Sequence, residues 1–274
     1  MKFAPIVSAV LLAAGCSNAP PPPAKGTPAF SWGAAKENQA AGDYAKTVEH
    51  LGLVTKTDNE FSGKARPWHL VLTAGLTEGY MELGETFEYG ARANKANPSQ
   101  FRRRTSDYRS MASRTALQFF EAFTAFEKKL QEDQVPVYFG ELRGSTLQPP
   151  ALTRIANGET LPDSQIETVQ KAVLERGILL AAGRMVDSDD PSRTRELLKG
   201  ENARVPRATF LKGAAETLYK ISDLFGPRKL DLPDRRQFFL KQALSSVSAL
   251  EETKELKEFK KKIDADLKKI KART

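Results

Sequence analysis

The chain has 274 residues, of which 42 are lysine or arginine and 34 are aspartate or glutamate, so its formal net charge is +8. This length accommodates one large domain or two small ones. With one cysteine and two histidines the chain cannot assemble a Cys/His zinc site, and we predict no metal site. The basic excess points to an anionic partner, such as lipid headgroups, cell wall, an acidic protein or nucleic acid.

The first fifteen residues are predicted to be an export signal. A short basic start is followed by an apolar run over residues 3–14. A run of this length is typical of a signal peptide and is too short to span a bilayer. An ordinary secretory peptide cut at Ser17-Asn18-Ala19 is the alternative, but Pro20 is an unfavourable residue to follow such a cut.

The end of this run, Leu12-Ala13-Ala14-Gly15-Cys16, resembles the lipobox of bacterial lipoproteins. The resemblance implies that residues 1–15 are removed and that Cys16, the only cysteine, carries a covalent lipid. Ser17, and not aspartate, follows Cys16. For a Gram-negative envelope this implies, by resemblance, a lipid anchor in the inner leaflet of the outer membrane, facing the periplasm. Exported proteins rarely meet nucleic acid, so we expect no nucleic-acid partner.

A proline-rich stretch comes next, with four consecutive prolines at residues 20–23. Such sequences are extended and partly stiff. We therefore interpret residues 16–29 as a tether between the lipid and a helical domain that spans residues 30–274. A polyproline ligand for a recognition domain is the alternative.

Two similar helix–turn–helix units are predicted at the start of this domain. The first has helices at residues 30–41 and 45–54 around Gly42-Asp43-Tyr44, and the second has helices at 67–83 and 86–97 around Gly84-Glu85. This order of elements resembles the tetratricopeptide repeat, because Leu76, Tyr80, Gly84 and Pro98 fall at or near positions that the repeat prefers. The two turn glycines are 42 residues apart, against a repeat of about 34, and we assign the excess to a polar loop at residues 55–64.

Residues 99–132 carry the most regular apolar pattern in the chain, with steps of three or four residues that predict one long amphipathic helix. The stripe consists of Phe101, Thr105, Tyr108, Ala112, Thr115, Phe119, Phe123, Phe126 and Leu130. Arginines crowd the first half of this helix, and the candidate partner-binding residues among them are Arg102, Arg103, Arg104 and Arg109, with Arg114 nearby. A solvated helix face, which is the commoner meaning of a charge run, is the alternative.

Residues 133–162 are rich in proline and glycine and contain one short predicted helix, at 151–156. Long irregular segments inside a domain are often functional, so Tyr138 and Phe139 are further candidate partner contacts. Both aromatic side chains could instead pack into the body of the protein, which is the commoner fate of such residues.

The C-terminal part, residues 163–274, is also predicted to be helical, and we expect almost no strand. Its helices are predicted near residues 163–186, 191–198, 206–225, 233–250 and 251–271. The acidic loop at 187–191 lacks the glycine and glutamate of an EF-hand calcium loop and is interpreted as a helix N-cap. The last helix combines a narrow apolar seam with many lysines. This suits an anionic membrane surface or the polar end cap of a helical array, and the acidic residues among the lysines favour the cap.

The sequence contains no phosphate-binding loop, no H-E-x-x-H motif and no G-x-S-x-G motif, and His50 and His69 lie in separate helical units. We therefore predict a non-enzymatic protein with an all-α fold of tetratricopeptide-like helix pairs, without a cofactor besides the lipid on Cys16. Its predicted function is a membrane-anchored, periplasm-facing scaffold that binds envelope proteins. One alternative is a transport-system lipoprotein that binds a small hydrophobic or anionic ligand or its carrier protein. The other is an enzyme that acts on cell wall.

Overall fold

The computed structural model describes residues 23–138, 142–145, 148–200 and 202–272. The predicted signal peptide, the lipidation site Cys16, residues 16–22 of the predicted tether and Phe139 lie outside these residues. The all-α fold is confirmed, since the described residues form ten α-helices and only two three-residue strands. In chain order they are α1 (Pro28–Ala41), α2 (Tyr44–Thr55), α3 (Ser62–Ala93), α4 (Pro98–Lys129), β1 (Gln134–Pro136), α5 (Pro150–Ala156), α6 (Asp163–Met185), α7 (Pro191–Leu197), β2 (Arg204–Pro206), α8 (Arg207–Ser222), α9 (Pro233–Ser248) and α10 (Lys254–Lys271).

The first predicted helix–turn–helix unit is present as α1 and α2. Gly42 ends α1 with φ of +80°, in the left-handed region that glycine adopts without strain. The side chain of Asp43 then caps α2 by accepting a hydrogen bond from the backbone N–H of Lys46 at 3.1 Å. The rings of Phe30, near the start of α1, and His50, in the second half of α2, lie 6.4 Å apart, so the two helices run antiparallel.

The prediction of a second helix–turn–helix unit is wrong, because α3 continues as one 32-residue helix through the predicted turn at Gly84. A glycine inside a helix costs only about 1 kcal/mol relative to alanine. Leu83 and Phe87 on either side of it are buried in a cluster with residues of α4, α5 and α6, and this burial keeps the helix intact. The chain reverses later, at residues 94–97, and α4 then runs back along α3.

α3 is the central element, in contact with α2, α4, α5, α6 and α8. The backbone of α6 approaches it very closely, because a Cβ atom added to Gly75 would overlap the backbone of Ile178. A Cβ added to Gly177 would overlap the carbonyl oxygen of Gly75 in the same way. One turn further along, a Cβ on Gly79 would lie 3.1 Å from the Cα of Leu174. The two helix backbones therefore touch directly over about one turn.

The apolar stripe predicted for residues 99–132 is confirmed as the face that α4 turns toward α3. All its members from Phe101 to Phe126 are buried, and Leu130 is half-buried just after the helix ends. The hydroxyl groups of Thr77 on α3 and Thr115 on α4 are hydrogen-bonded at 2.8 Å across this interface. Each hydroxyl also lies within hydrogen-bond distance of a carbonyl oxygen of its own helix, Thr73 O at 2.7 Å and Met111 O at 3.1 Å, so both stay satisfied inside this apolar interface.

The irregular segment after α4 carries the only strand pairing in the described residues. β1 and β2 are antiparallel, with the buried side chains of Val135 and Val205 opposite each other. Each strand ends in proline, which has no N–H to donate and so limits the length of the ladder. The pairing holds this segment against the start of α8.

The last three helices pack in succession, with α8 on α6, α9 on α8 and α10 on α9. The predicted seam of α10 is the side that packs: Leu256, Ile263 and Ile270 are buried. The predicted N-cap in the acidic loop is also present, since the Asp190 carboxylate accepts a hydrogen bond from the backbone N–H of Ser192 at 2.8 Å. Of the helices in the described ranges, none is long and apolar enough to cross a membrane.

We predict that Gly75→Ala destabilises the fold, because its Cβ would overlap the α6 backbone, which cannot yield as a flexible side chain can. We expect the free energy of unfolding to fall by at least about 2 kcal/mol, as for other overpacked cores. The measurement is urea denaturation followed by far-ultraviolet circular dichroism. Gly33→Ala is the matched control: no atom lies within 4 Å of its added Cβ, and it should stabilise α1 by up to about 1 kcal/mol. Equal stability of the two variants would contradict the close packing of α3 and α6.

Candidate binding clefts

A cleft of about 1280 Å³ lies between the C-terminal part of α3, the first half of α4 and the loop that precedes α9. Six of its lining side chains are cationic and one, Glu88, is a carboxylate; the cations are Arg92, Lys95, Arg102, Arg109, Arg114 and Lys229. The hydroxyl groups of three serines lie among them: Ser106, Ser110 and Ser113. We call this feature the basic cleft.

Only part of this positive charge is neutralised within the protein. The Glu88 carboxylate binds Arg92 at 2.5 Å and Arg109 at 2.6 Å, so one anion serves two cations. In the described part of the chain, Lys95, Arg102 and Arg114 have no carboxylate partner, and all three are exposed. Their charges remain available to an anionic partner.

The structure divides the arginines that the sequence grouped together. Arg102 and Arg109 are seven residues apart, share one face of α4, and line the basic cleft, as does Arg114. Arg104 lies on another face, where it binds the Asp163 carboxylate at 2.7 Å and its guanidinium lies over the Phe87 ring. Arg103 is exposed but does not line the cleft. Whether any of these residues binds a partner stays a prediction.

Tyr138 lies far from the basic cleft. Its half-buried ring packs against Trp32, at a centroid distance of 6.5 Å, and against Trp68, at 6.1 Å. This packing supports the alternative interpretation, in which the aromatic side chain belongs to the body of the protein. Phe139 lies outside the described residues.

The loop before α9 also contributes to the basic cleft, and the sequence did not predict this contribution. Lys229, Leu230 and Leu232 line the basic cleft although they follow Arg114 by more than a hundred residues. The only local signal was Gly226-Pro227, which marks a turn. No pattern in the loop itself indicates that it packs across α4.

A second cleft, of about 930 Å³, lies on the other side of α3, between that helix and α5, α6, α8 and α10. We call it the central cleft. Three glutamates on successive turns of α3 face cations from other elements there. The pairs are Glu78 with Arg184 and with Lys220 at 2.7 Å, Glu82 with Arg176 at 2.6 Å, and Glu85 with Lys229.

The central cleft is an electrostatically unusual environment. The Glu78 residue is only 7% exposed and yet carries two cationic partners. Burial, reinforced by the guanidinium groups of Arg184 and Arg176, lowers the pKa of Lys220 to about 8. Burial also raises the pKa of Tyr219 to about 12, and its hydroxyl donates a hydrogen bond to Asp266 at 2.9 Å. The ion pairs of Glu78 and Glu82 with cations of α6 and α8 therefore link these two helices to α3.

Neither histidine lies at a cleft. Burial lowers the pKa of His69 to about 4, so its imidazole is neutral at physiological pH. His50 and His69 line neither the basic nor the central cleft. Among the residues that the structure describes, no group of His, Cys, Asp and Glu side chains could hold a metal ion.

Comparison with known proteins adds no further information, since no protein-family model, no curated protein and no solved structure matches this chain.

We predict that Glu78→Gln lowers the free energy of unfolding by about 2–3 kcal/mol, because it leaves the Arg184 and Lys220 cations without their shared anion. The loss should be below that of a fully buried pair, since Lys220 is half exposed and can regain water. Urea denaturation at pH 7 measures it. Glu159→Gln is the control: its exposed pair with Arg154 should matter little. A Glu78→Gln variant as stable as this control would contradict the structural role of the central network.

Proposed function

We propose that this chain is a lipid-anchored, periplasm-facing interaction protein of the bacterial envelope, with no catalytic role. In this proposal Cys16 carries the lipid, residues 16–29 are the tether, and the basic cleft binds an acidic segment of an envelope partner protein. The observation that carries the proposal is the imbalance of charge in that cleft, where Lys95, Arg102 and Arg114 have no carboxylate partner among the described residues.

The geometry of the free cations supports a linear partner over a single small ion. Arg102 and Arg114 are twelve residues apart on α4, which corresponds to about 18 Å along the helix axis. One phosphate or carboxylate cannot reach both ends of that span. A chain with several carboxylates can, and complementary charge would also accelerate its encounter with the cleft.

Only one tetratricopeptide-like helix pair is part of this proposal. We propose that α1 and α2 act as one repeat-like hairpin stacked on α3, supported by the Gly42 turn and by the contacts of α2 with α3. The long α3 and α4 pair provides the binding surface in place of a second repeat. Helical arrays of this kind commonly bind protein segments in the grooves between neighbouring helices.

A second candidate function is a ligand-binding subunit of a transport system, and the central cleft favours it. Its volume, about 930 Å³, falls within the range of small-molecule sites. Its walls combine paired charges and Tyr219 with apolar side chains such as Met81, Leu152 and Leu180, which suits a small ligand that has both polar groups and an apolar part. A thermal shift of the protein with polar metabolites, absent in the Lys220→Gln variant, would support this candidate.

We predict that the double replacement Arg102→Glu and Arg114→Glu weakens partner binding, because each reversal replaces attraction by repulsion at one end of the cleft. In-cell crosslinking and mass spectrometry first identify the partner, and titration then gives its affinity. We expect a loss of roughly tenfold or more. The loss should shrink at high salt, since these side chains are exposed.

Arg103→Glu is the matched control for this experiment, because Arg103 is exposed beside Arg102 but lies outside the basic cleft. It should leave the affinity nearly unchanged. If Arg103→Glu weakens binding as much as each cleft reversal does, the effect reflects net charge alone, and the assignment of the cleft is wrong.

We predict that Cys16→Ser abolishes lipidation, since serine lacks the thiol to which the lipid would be attached. Metabolic labelling with radioactive palmitate, followed by membrane fractionation, measures this. Ser17→Ala should retain the label. A Cys16→Ser protein that still incorporates palmitate would contradict the anchor.

A further inference from the structure

The basic cleft changes character along its length. Lys95 and Arg102 line it near the start of α4, whereas Leu117, Leu230 and Leu232 line it further along. The side chain of Leu232 is 38% exposed, so part of this apolar surface faces solvent. An occupant made only of carboxylates would leave this end unused.

The apolar surface continues beyond the cleft onto α9. Phe120 follows Leu117 by three residues and therefore lies on the same side of α4. Its ring packs against that of Phe238 at a centroid distance of 4.7 Å. Phe238 is nonetheless 59% exposed, the most of any large hydrophobic residue in the described ranges. The neighbouring residues Phe239 and Leu240 are buried and already fix α9, so the fold does not need Phe238 as an anchor.

The distance between the two ends fits an extended segment. Eighteen positions separate Arg102 from Phe120, or about 27 Å along the axis of α4. An extended peptide covers that distance with about eight residues. The backbone of such a peptide needs hydrogen-bond partners. The hydroxyl groups of Ser106, Ser110 and Ser113, which both donate and accept, line the path.

We propose that the occupant of the basic cleft is an extended acidic segment of about eight residues with one aromatic side chain, which packs on the surface formed by Leu117, Leu232 and Phe238. The carboxylates bind Arg102 and Arg114, and the aromatic residue determines which acidic segments are selected. This inference rests on the proposed function and adds the class of partner. Charge alone would accept any acidic chain, whereas the aromatic contact restricts binding to chains that carry such a residue at the right distance.

The test uses the full-length protein in detergent and labelled octapeptides in a fluorescence anisotropy titration. One peptide consists only of aspartate and glutamate, and eight others carry a single phenylalanine at each position in turn. We expect at least one phenylalanine peptide to bind roughly tenfold tighter than the all-acidic one. Phe238→Ala should remove this preference, so that the phenylalanine peptides bind no tighter than the all-acidic peptide. Leu53→Ala is the matched control, because Leu53 is 42% exposed but lines neither cleft.

The possible results separate this inference from the function on which it rests. If no phenylalanine peptide binds tighter than the all-acidic one, or if Phe238→Ala keeps the preference, the aromatic contact is wrong. The proposed function survives that result when the Arg102→Glu and Arg114→Glu replacements still weaken binding of the all-acidic peptide. If no acidic peptide binds, or if those replacements change nothing, both proposals fail.

Discussion

The direct contact between the backbones of α3 and α6 is the constraint on which the rest of the structure depends. Gly75 and Gly177 leave no room for a side chain between the two helices, so their crossing point is fixed within a small tolerance. Because α3 is 32 residues long, fixing it at this point also determines where its far end lies. Near that end, Leu83 and Phe87 are buried against α4, α5 and α6, and Glu88 binds Arg109 of α4.

The same close approach accounts for the buried charges. Glu78 and Glu82 lie one and two turns after Gly75 on α3, where α6 and α8 are near enough to exclude most water. A carboxylate in such a place is tolerated only with cationic partners, and Arg176, Arg184 and Lys220 provide them. The interface between α3 and α6 thus has two adjoining parts. One is the direct backbone contact at Gly75 and Gly177, and the other is the set of ion pairs that begins one turn later.

Local patterns predicted the helices well and the tertiary contacts poorly. The stripe of α4 placed that helix within three residues at each end, because its members are neighbours in sequence. The break at Gly84 could not be excluded, since what keeps α3 intact is burial against α4, α5 and α6. The sequence grouped the arginines of α4 together, and it could not show that Arg104 pairs with Asp163, which lies 59 residues away. The contribution of Lys229 likewise depends on how the chain returns to α4.

Lys229 lies between the basic cleft and the central cleft and connects the two electrostatically. Its side chain lines the basic cleft and the central cleft, and it binds Glu85 and, at 2.7 Å, Asp223. An anion that draws this ammonium group toward the basic cleft removes the cationic partner of Glu85 in the central cleft. By thermodynamic linkage, a cation that binds Glu85 in the central cleft then favours that anion to the same degree. One lysine therefore makes the two openings energetically dependent on each other.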